Sequence, residues 1–347
     1  MKGGDDMKMN IHGGDTYSYN KGIIDFSANI NPLGLPKKVG EEIVHSIKDC
    51  AAYPDIFCRD LTKAIAMQYD IEESKIVCGN GAAELIYKMA LAFKPKKALV
   101  LAPTFAEYVL ALKTVNCEIV YHYLDRKAFL LKTDILERIR EVDMLFICNP
   151  NNPTGLLTEP SFMKEILAEA EKNKVLMVVD ECFNHFLDEP KKNSMKGFIE
   201  SSNYLIILNA FTKIYAMAGI RLGYGFVSNP KMKEDLFSAG PPWSVSIIAQ
   251  RCGVVALQQE LYLKESKKFI AEQRELLKIG LKQSGLTVFD SQANYIFLKS
   301  KDHELHSQLL KKNILIRDCS NYENLEKGYY RIAVRTEEEN KYLLKQM

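Results

Sequence analysis

The chain has 347 residues, 47% of them hydrophobic and 26% charged, with a formal net charge of +2. That length can bury a full core in one large domain plus a smaller one; so small a net charge leaves no footprint for nucleic acid or an anionic membrane. The eight cysteines form no CxxC pair, most sit in apolar runs such as Phe146-Ile147-Cys148, and the six histidines have no ligand spacing, so reduced buried thiols and no metal are expected.

In chain order, Met1 to Asn10 is polar and carries both charge signs, which argues against a secretory signal. No stretch approaches the ~18 apolar residues of a membrane span, and the expected location is cytoplasmic. From about residue 60 to 230, short apolar runs alternate with segments of helical period. The runs are Ile76-Val77-Cys78, Ala98 to Leu101, Met144 to Cys148, Val175 to Val179 and Leu205 to Leu208; Ala83 to Phe93 and Glu159 to Asn173 are helical. Strands that are apolar throughout, rather than alternating, are those of a parallel sheet covered on both faces. After Pro241-Pro242 the pattern changes to a long helical stretch, Ser246 to Ser284, then strands at Asn294 to Leu298, Ile314 to Arg317 and Tyr330 to Val334, and a terminal helix. The expected division is a large domain over 45–240 and a small α+β domain made of 1–44 with 241–347.

Ligands of an open parallel sheet bind beyond the carboxyl ends of its strands. Those ends carry Asn149-Pro150-Asn151-Asn152-Pro153-Thr154-Gly155, Asp180-Glu181-Cys182-Phe183, and Asn209-Ala210-Phe211-Thr212-Lys213, with Arg221 eight residues after the lysine. Gly79-Asn80-Gly81-Ala82-Ala83 opens a helix. Pyridoxal 5′-phosphate (PLP) needs such a set: a lysine to form an imine with its aldehyde, an acid opposite its ring nitrogen, and a helix N-terminus for its phosphate. Each piece alone has an ordinary reading. Lys213 is one lysine among many, Asp180 could cap the next helix, and Gly79-Asn80-Gly81 could be a plain turn. Their common order at successive strand ends is what sets them apart.

Asn152-Pro153-Thr154-Gly155, then Asp180, then Thr212-Lys213 with Arg221, resembles the fold-type-I aminotransferases over nearly the whole chain. The resemblance implies an aspartate-aminotransferase-like α/β fold, with a mostly parallel doubly wound sheet in the large domain. It implies that Lys213 and Asp180 are catalytic and that Asn152 bonds the phenolic oxygen of PLP. Phe105 would stack on the ring, and Gly81, Ala82, Ala83, Thr212 and Arg221 would hold the phosphate. Tyr53 matches a tyrosine that reaches the cofactor of a neighbouring subunit, which implies a homodimer. A Ser or Thr common three residues before the lysine is Ala210 here, leaving Thr212 as the phosphate hydroxyl.

Two subfamilies fit, both acting on small phosphorylated amino compounds. His12-Gly13-Gly14, Asp25 to Gly34, Pro242-Trp243-Ser244-Val245 and Ile314 to Arg331 look like L-threonine-O-3-phosphate decarboxylase, which serves cobalamin synthesis. The alternative is histidinol-phosphate aminotransferase, which usually has Asn-Glu-Asn-Pro where Asn29-Ile30-Asn31-Pro32 stands. Aminotransferases of this fold usually place a tyrosine at the position of Phe183, where its hydroxyl bonds the cofactor; phenylalanine cannot, although Phe183 also reads as core packing. By resemblance Arg331 grips the substrate carboxylate and Arg317 its phosphate, with His12, Asn29 and Arg335 as further contacts; Arg335 and His12 also read as surface or capping residues. A non-catalytic regulator that keeps the fold is the remaining alternative, and nothing resembling a DNA-binding extension supports it.

Overall fold

The computed structural model describes residues 12–19 and 22–347; residues 1–11, 20 and 21 of the expected small domain lie outside the described residues. Strands in chain order are β1 (Ile24–Asp25), β2 (Ile76–Gly79), β3 (Lys97–Ala102), β4 (Glu118–Tyr123), β5 (Met144–Cys148), β6 (Leu176–Asp180), β7 (Leu205–Ala210) and β8 (Gly223–Val227). Beyond them come β9 (Thr287–Val288), β10 (Tyr295–Lys299), β11 (Ile314–Leu315), β12 (Arg317–Asp318) and β13 (Tyr329–Ala333).

Strands β2 to β8 form one seven-stranded sheet in the order β2-β8-β7-β6-β5-β3-β4. Only β8 runs against its neighbours. Alternate residues face two separate apolar layers. Leu145, Ile147, Met177, Val179 and Ile207 enter one; Met144, Phe146, Leu176, Val178 and Ile206 enter the other. Burial on both faces explains the uninterrupted apolar runs, each large side chain contributing about 1.5–3 kcal/mol.

Two strands of this sheet do not show as apolar runs. β4 is the sheet's edge and mostly half-exposed, so Glu118-Ile119-Val120-Tyr121-His122-Tyr123 mixes polar and apolar residues. β8 is Gly223-Tyr224-Gly225-Phe226-Val227, whose glycines mask its strand character. They are required by contact: a Cβ on Gly223 would lie 2.3 Å from the Ala82 nitrogen, and one on Gly225 2.9 Å from the Ile207 oxygen.

The stretch expected as one helix after Pro241-Pro242 is two, Ile247–Leu257 and Glu260–Gln283, parted at Gln258-Gln259. The first packs on helices Lys37–Ser46 and Arg59–Tyr69. Strands β9, β10, β12 and β13 make an antiparallel sheet in the order β12-β13-β10-β9. The segment expected as one strand at 314–317 divides between two sheets. β12 joins this one, and β11 pairs in parallel with β1, Ile24 opposite Ile314 and Asp25 opposite Leu315. No helix among the described residues is long and apolar enough to cross a membrane.

Candidate active site

The register of the large sheet sets the site. Because β8 is antiparallel, Gly223 begins at the edge where the parallel strands end, flanked by Gly79 and Ala210. Two residues inward along β7, Asp180 stands between Cys148 and Leu208. Above this edge opens a cavity of ≈ 320 Å³. Of the residues expected at the cofactor, Ala82, Ala83, Phe105, Asn152, Asp180, Thr212, Lys213 and Arg221 line it, and of those expected at the substrate, His12, Asn29 and Arg331.

Lys213 sits in the single helical turn Phe211–Ile214 that follows β7. The turn is held from the other side of the cavity: its Lys213 carbonyl accepts from the Asn31 N–H at 3.1 Å, and the Asn31 amide donates to the Ile214 carbonyl at 2.7 Å. Burial, followed by the nearby Arg331 charge, pushes the Lys213 ammonium down to about 8, so the neutral amine is accessible near neutral pH.

Asp180 is buried and both its carboxylate oxygens have a donor, Tyr108 at 2.6 Å on Oδ2 and the Cys182 N–H at 2.9 Å on Oδ1. The flanking thiols of Cys148 and Cys182 are pushed up by burial and by the Asp180 charge, so they stay protonated. The helix Ala82–Phe93 starts at Gly81 without a side-chain cap, which leaves its first N–H groups free for an anion. Gly81 has φ +80°, and a Cβ there would lie 2.5 Å from Arg221 Nη2, so only glycine lets the guanidinium reach the helix start.

Across the cavity, Arg331 donates to Asn152 Oδ1 at 2.5 Å and to the Ser27 carbonyl at 2.6 Å, while its buried Nε has no partner among the described residues. The Asn152 carbonyl is thereby occupied, and its NH2 is the half available to a ligand. Asn29 Oδ1 is also buried without a partner among the described residues. His12 forms a 2.6 Å contact with Glu107 at the mouth. A Cβ on Gly13 would collide with the Ser27 carbonyl at 2.1 Å, so glycine lets this segment lie against the wall.

Three expected residues lie elsewhere. Arg317 opens into an adjoining cavity of ≈ 140 Å³ that shares His12, Phe105 and Tyr322 with the first. Its guanidinium donates to the Asp318 carbonyl at 2.7 Å and Asn321 Oδ1 at 2.8 Å. Arg335 does not reach the cavity; it is paired with Glu339 at 3.0 and 3.1 Å in the capped first turn of the terminal helix. Tyr53 is 81% exposed and lies against Trp243, with ring centroids 4.9 Å apart.

Sequence reasoning missed Tyr108, Gly223, Glu107 and Tyr322. Glu107 and Tyr108 stand two and three residues after Phe105, so a helical reading of Glu107–Lys113 would have flagged them. Gly223 and Tyr322 come to the site through register and packing, which leave no local signal.

The donor set suits PLP: an amine of lowered basicity, a buried carboxylate with lone pairs left over, an amide NH2, and an uncapped helix start beside an arginine. The orphaned Asn29 oxygen and the glycine-dependent approach of Arg221 mark a site built around a polar ligand. Fold and site together define a PLP-dependent enzyme of the aminotransferase-like α/β class.

The chain belongs to the aminotransferase class I and II family, whose model matches residues 21–347. It is 35% identical over 327 residues to the threonine-phosphate decarboxylase of Salmonella typhimurium, spanning 93% of this chain and 89% of that protein. It is 30% identical over 336 residues to the histidinol-phosphate aminotransferase of Methanococcus aeolicus, spanning 93% and 88%. The crystal structure of the histidinol-phosphate aminotransferase from Clostridium acetobutylicum superposes with a TM-score of 0.88 at 33% identity, over 92% of this chain and 97% of that one.

Proposed function

We propose that this chain decarboxylates L-threonine O-3-phosphate, releasing CO2 and leaving the aminopropanol phosphate used in cobalamin synthesis. The observation that carries this reading is the pair Arg317 and Arg331. They are register partners on β12 and β13, both buried, and neither has a carboxylate partner among the described residues. Like charges directly opposite destabilise a sheet, and a buried ion without a counter-ion costs several kcal/mol. A fold that keeps both has a use for two anions. A substrate with one carboxylate and one phosphate supplies them, the carboxylate to Arg331 in the main cavity and the phosphate to Arg317 in the side cavity.

Bound PLP supplies the electron sink for the pair released when a bond at the substrate Cα breaks. Arg331 decides which bond that is, by holding the carboxylate in the orientation where Cα–COO⁻ is cleaved. Lys213 Nζ then delivers the proton that replaces CO2 at Cα. Asp180 would hold the ring nitrogen of bound PLP and Asn152 its phenolic oxygen. Phe183 lines the cavity with its ring edge-on to Tyr295 and offers that oxygen no hydroxyl. The 35% identity to the Salmonella decarboxylase across 93% of the chain supports the same choice.

A second reading, transamination of histidinol phosphate, is favoured by the 0.88 TM-score to the Clostridium enzyme. Histidinol phosphate carries no carboxylate for Arg331, although a dicarboxylate co-substrate would. Paired assays separate the two. Threonine phosphate should release CO2 with the cofactor returned in its aldehyde form; glutamate formed from histidinol phosphate and 2-oxoglutarate, with no CO2 from threonine phosphate, would reverse the assignment.

We further propose that the working unit is a homodimer. Tyr53, Phe57, Phe237 and Trp243 are exposed aromatics in two pairs, Tyr53 on Trp243 and Phe57 on Phe237, and the last three of them line a groove beside β2. Such a patch next to a phosphate-sized helix start suits a second copy that contributes Tyr53 to the cofactor phosphate. Sedimentation at assay concentration should give a dimer, and a fully active monomer would rule it out.

A further inference from the structure

We propose that Tyr108 is a positioning residue that acts through Asp180: its phenol fixes the carboxylate and helps keep the proton on the ring nitrogen of the bound cofactor. This rests on the PLP reading of the site.

Tyr108 lies on the helix Glu107–Lys113, fully buried, and does not line the cavity. Its ring is held on two sides. It stacks on Phe146 of β5 at 4.9 Å between centroids with a 15° interplanar angle, and it meets Phe105 edge-on at 5.6 Å. Phe105 is one of the aromatic side chains of the cavity wall. One rigid aromatic block therefore links the wall residue to the phenol, and the phenol to Asp180 Oδ2 at 2.6 Å. Burial, and next the Asp180 charge, push the Tyr108 phenol well above its usual range, so it remains a donor at every working pH.

The electrostatic role follows from where Asp180 sits. Its flanking side chains, Cys148 and Cys182, are neutral thiols, weak donors at best. The carboxylate therefore relies on two donors, the Cys182 N–H and the Tyr108 hydroxyl, until a ring N–H supplies a third. Hydrogen bonds to a carboxylate favour its charged form. With the phenol present, the proton shared between the carboxylate and the ring nitrogen sits on nitrogen, and the ring is cationic. Without it, the remaining charge draws that proton toward oxygen, and the ring becomes a poorer electron sink. A less cationic ring also makes the nitrogen that joins the cofactor to Lys213 more basic.

The test is Tyr108→Phe in the holoenzyme, with Tyr108→Leu beside it. Phenylalanine keeps the ring stack and removes only the donor; leucine removes both. Two readouts do not depend on turnover: the pH midpoint of the cofactor's visible band, and the dissociation constant of PLP from apoenzyme. For Tyr108→Phe we expect the midpoint to move to higher pH and cofactor binding to weaken about tenfold, the size of one charge-assisted hydrogen bond. A wild-type midpoint and affinity in Tyr108→Phe, with losses confined to Tyr108→Leu, would reduce Tyr108 to a packing residue and overturn the proposal. If the wild-type protein binds no PLP at all, the cofactor reading itself fails, and that outcome is visible before any variant is made.

Discussion

Replacing Lys213 by alanine should abolish turnover, by more than about 10⁴-fold, because the variant loses both the covalent anchor and the proton carrier at Cα. Borohydride treatment of the wild-type holoenzyme should bleach its colour and fix the cofactor on Lys213, and a label on any other lysine would sink the assignment. The pH dependence of cofactor capture is a sharper test of the environment. The Lys213 ammonium titrates near 8 instead of 10.5, chiefly through burial and then the Arg331 charge. Lowering the value means that the reactive neutral amine is lost as pH falls below about 8 and fully present above it. At pH 7.5 roughly a quarter of the molecules carry the free amine, against about 0.1% for an ordinary lysine. Apoenzyme should therefore capture PLP about tenfold faster per pH unit below 8 and level off above it. A rate still climbing steadily to pH 10 would show an unperturbed lysine. The cofactor-free Lys213→Ala protein should melt no lower than wild type, since the side chain it loses is a partly buried cation that the surroundings disfavour.

The cofactor half of the site was legible in the sequence because parallel sheets concentrate function at consecutive strand ends. Asn152, Asp180 and Lys213 each follow an apolar run that two buried faces force to be continuous. Gly81 to Ala83 could be read because a helix start needs no tertiary information. What could not be read depends on register. Gly223 reaches the phosphate loop only because β8 is antiparallel between β2 and β7, and its Gly-Tyr-Gly run resembles a turn as much as a strand. Nothing local to Tyr108 marks the place of its hydroxyl on Asp180, which tertiary packing alone provides. Among the arginines, sequence put Arg317 and Arg331 on the substrate and left Arg335 as a further contact or a capping residue. The fold separates them: Arg335 has a carboxylate of its own four residues on, whereas Arg317 and Arg331 face each other with none among the described residues.

That separation makes the second large effect specific. Arg331→Ala and Arg317→Ala should each lower kcat/KM for threonine phosphate by one to two orders of magnitude, since a charge-assisted contact contributes roughly 1.5–3 kcal/mol. Arg335→Ala should cost less than about threefold, because the pair it breaks is a half-exposed i,i+4 bridge of the kind worth about 0.3–0.5 kcal/mol. The two large losses should differ in kind. Threonine without its phosphate cannot use Arg317, so Arg317→Ala should lower kcat/KM for threonine phosphate while leaving the weak rate with threonine unchanged. Arg331→Ala should damage both substrates alike, through the carboxylate they share. Relief of the facing charges gives an independent check. Arg317→Met keeps an apolar side chain on β12 and removes the repulsion of Arg331, so the melting temperature should rise, most at low salt, even as activity falls. Equal damage from all three arginine variants, or a loss with Arg317→Ala that persists on plain threonine, would mean that Arg317 supports the sheet and does not bind the phosphate.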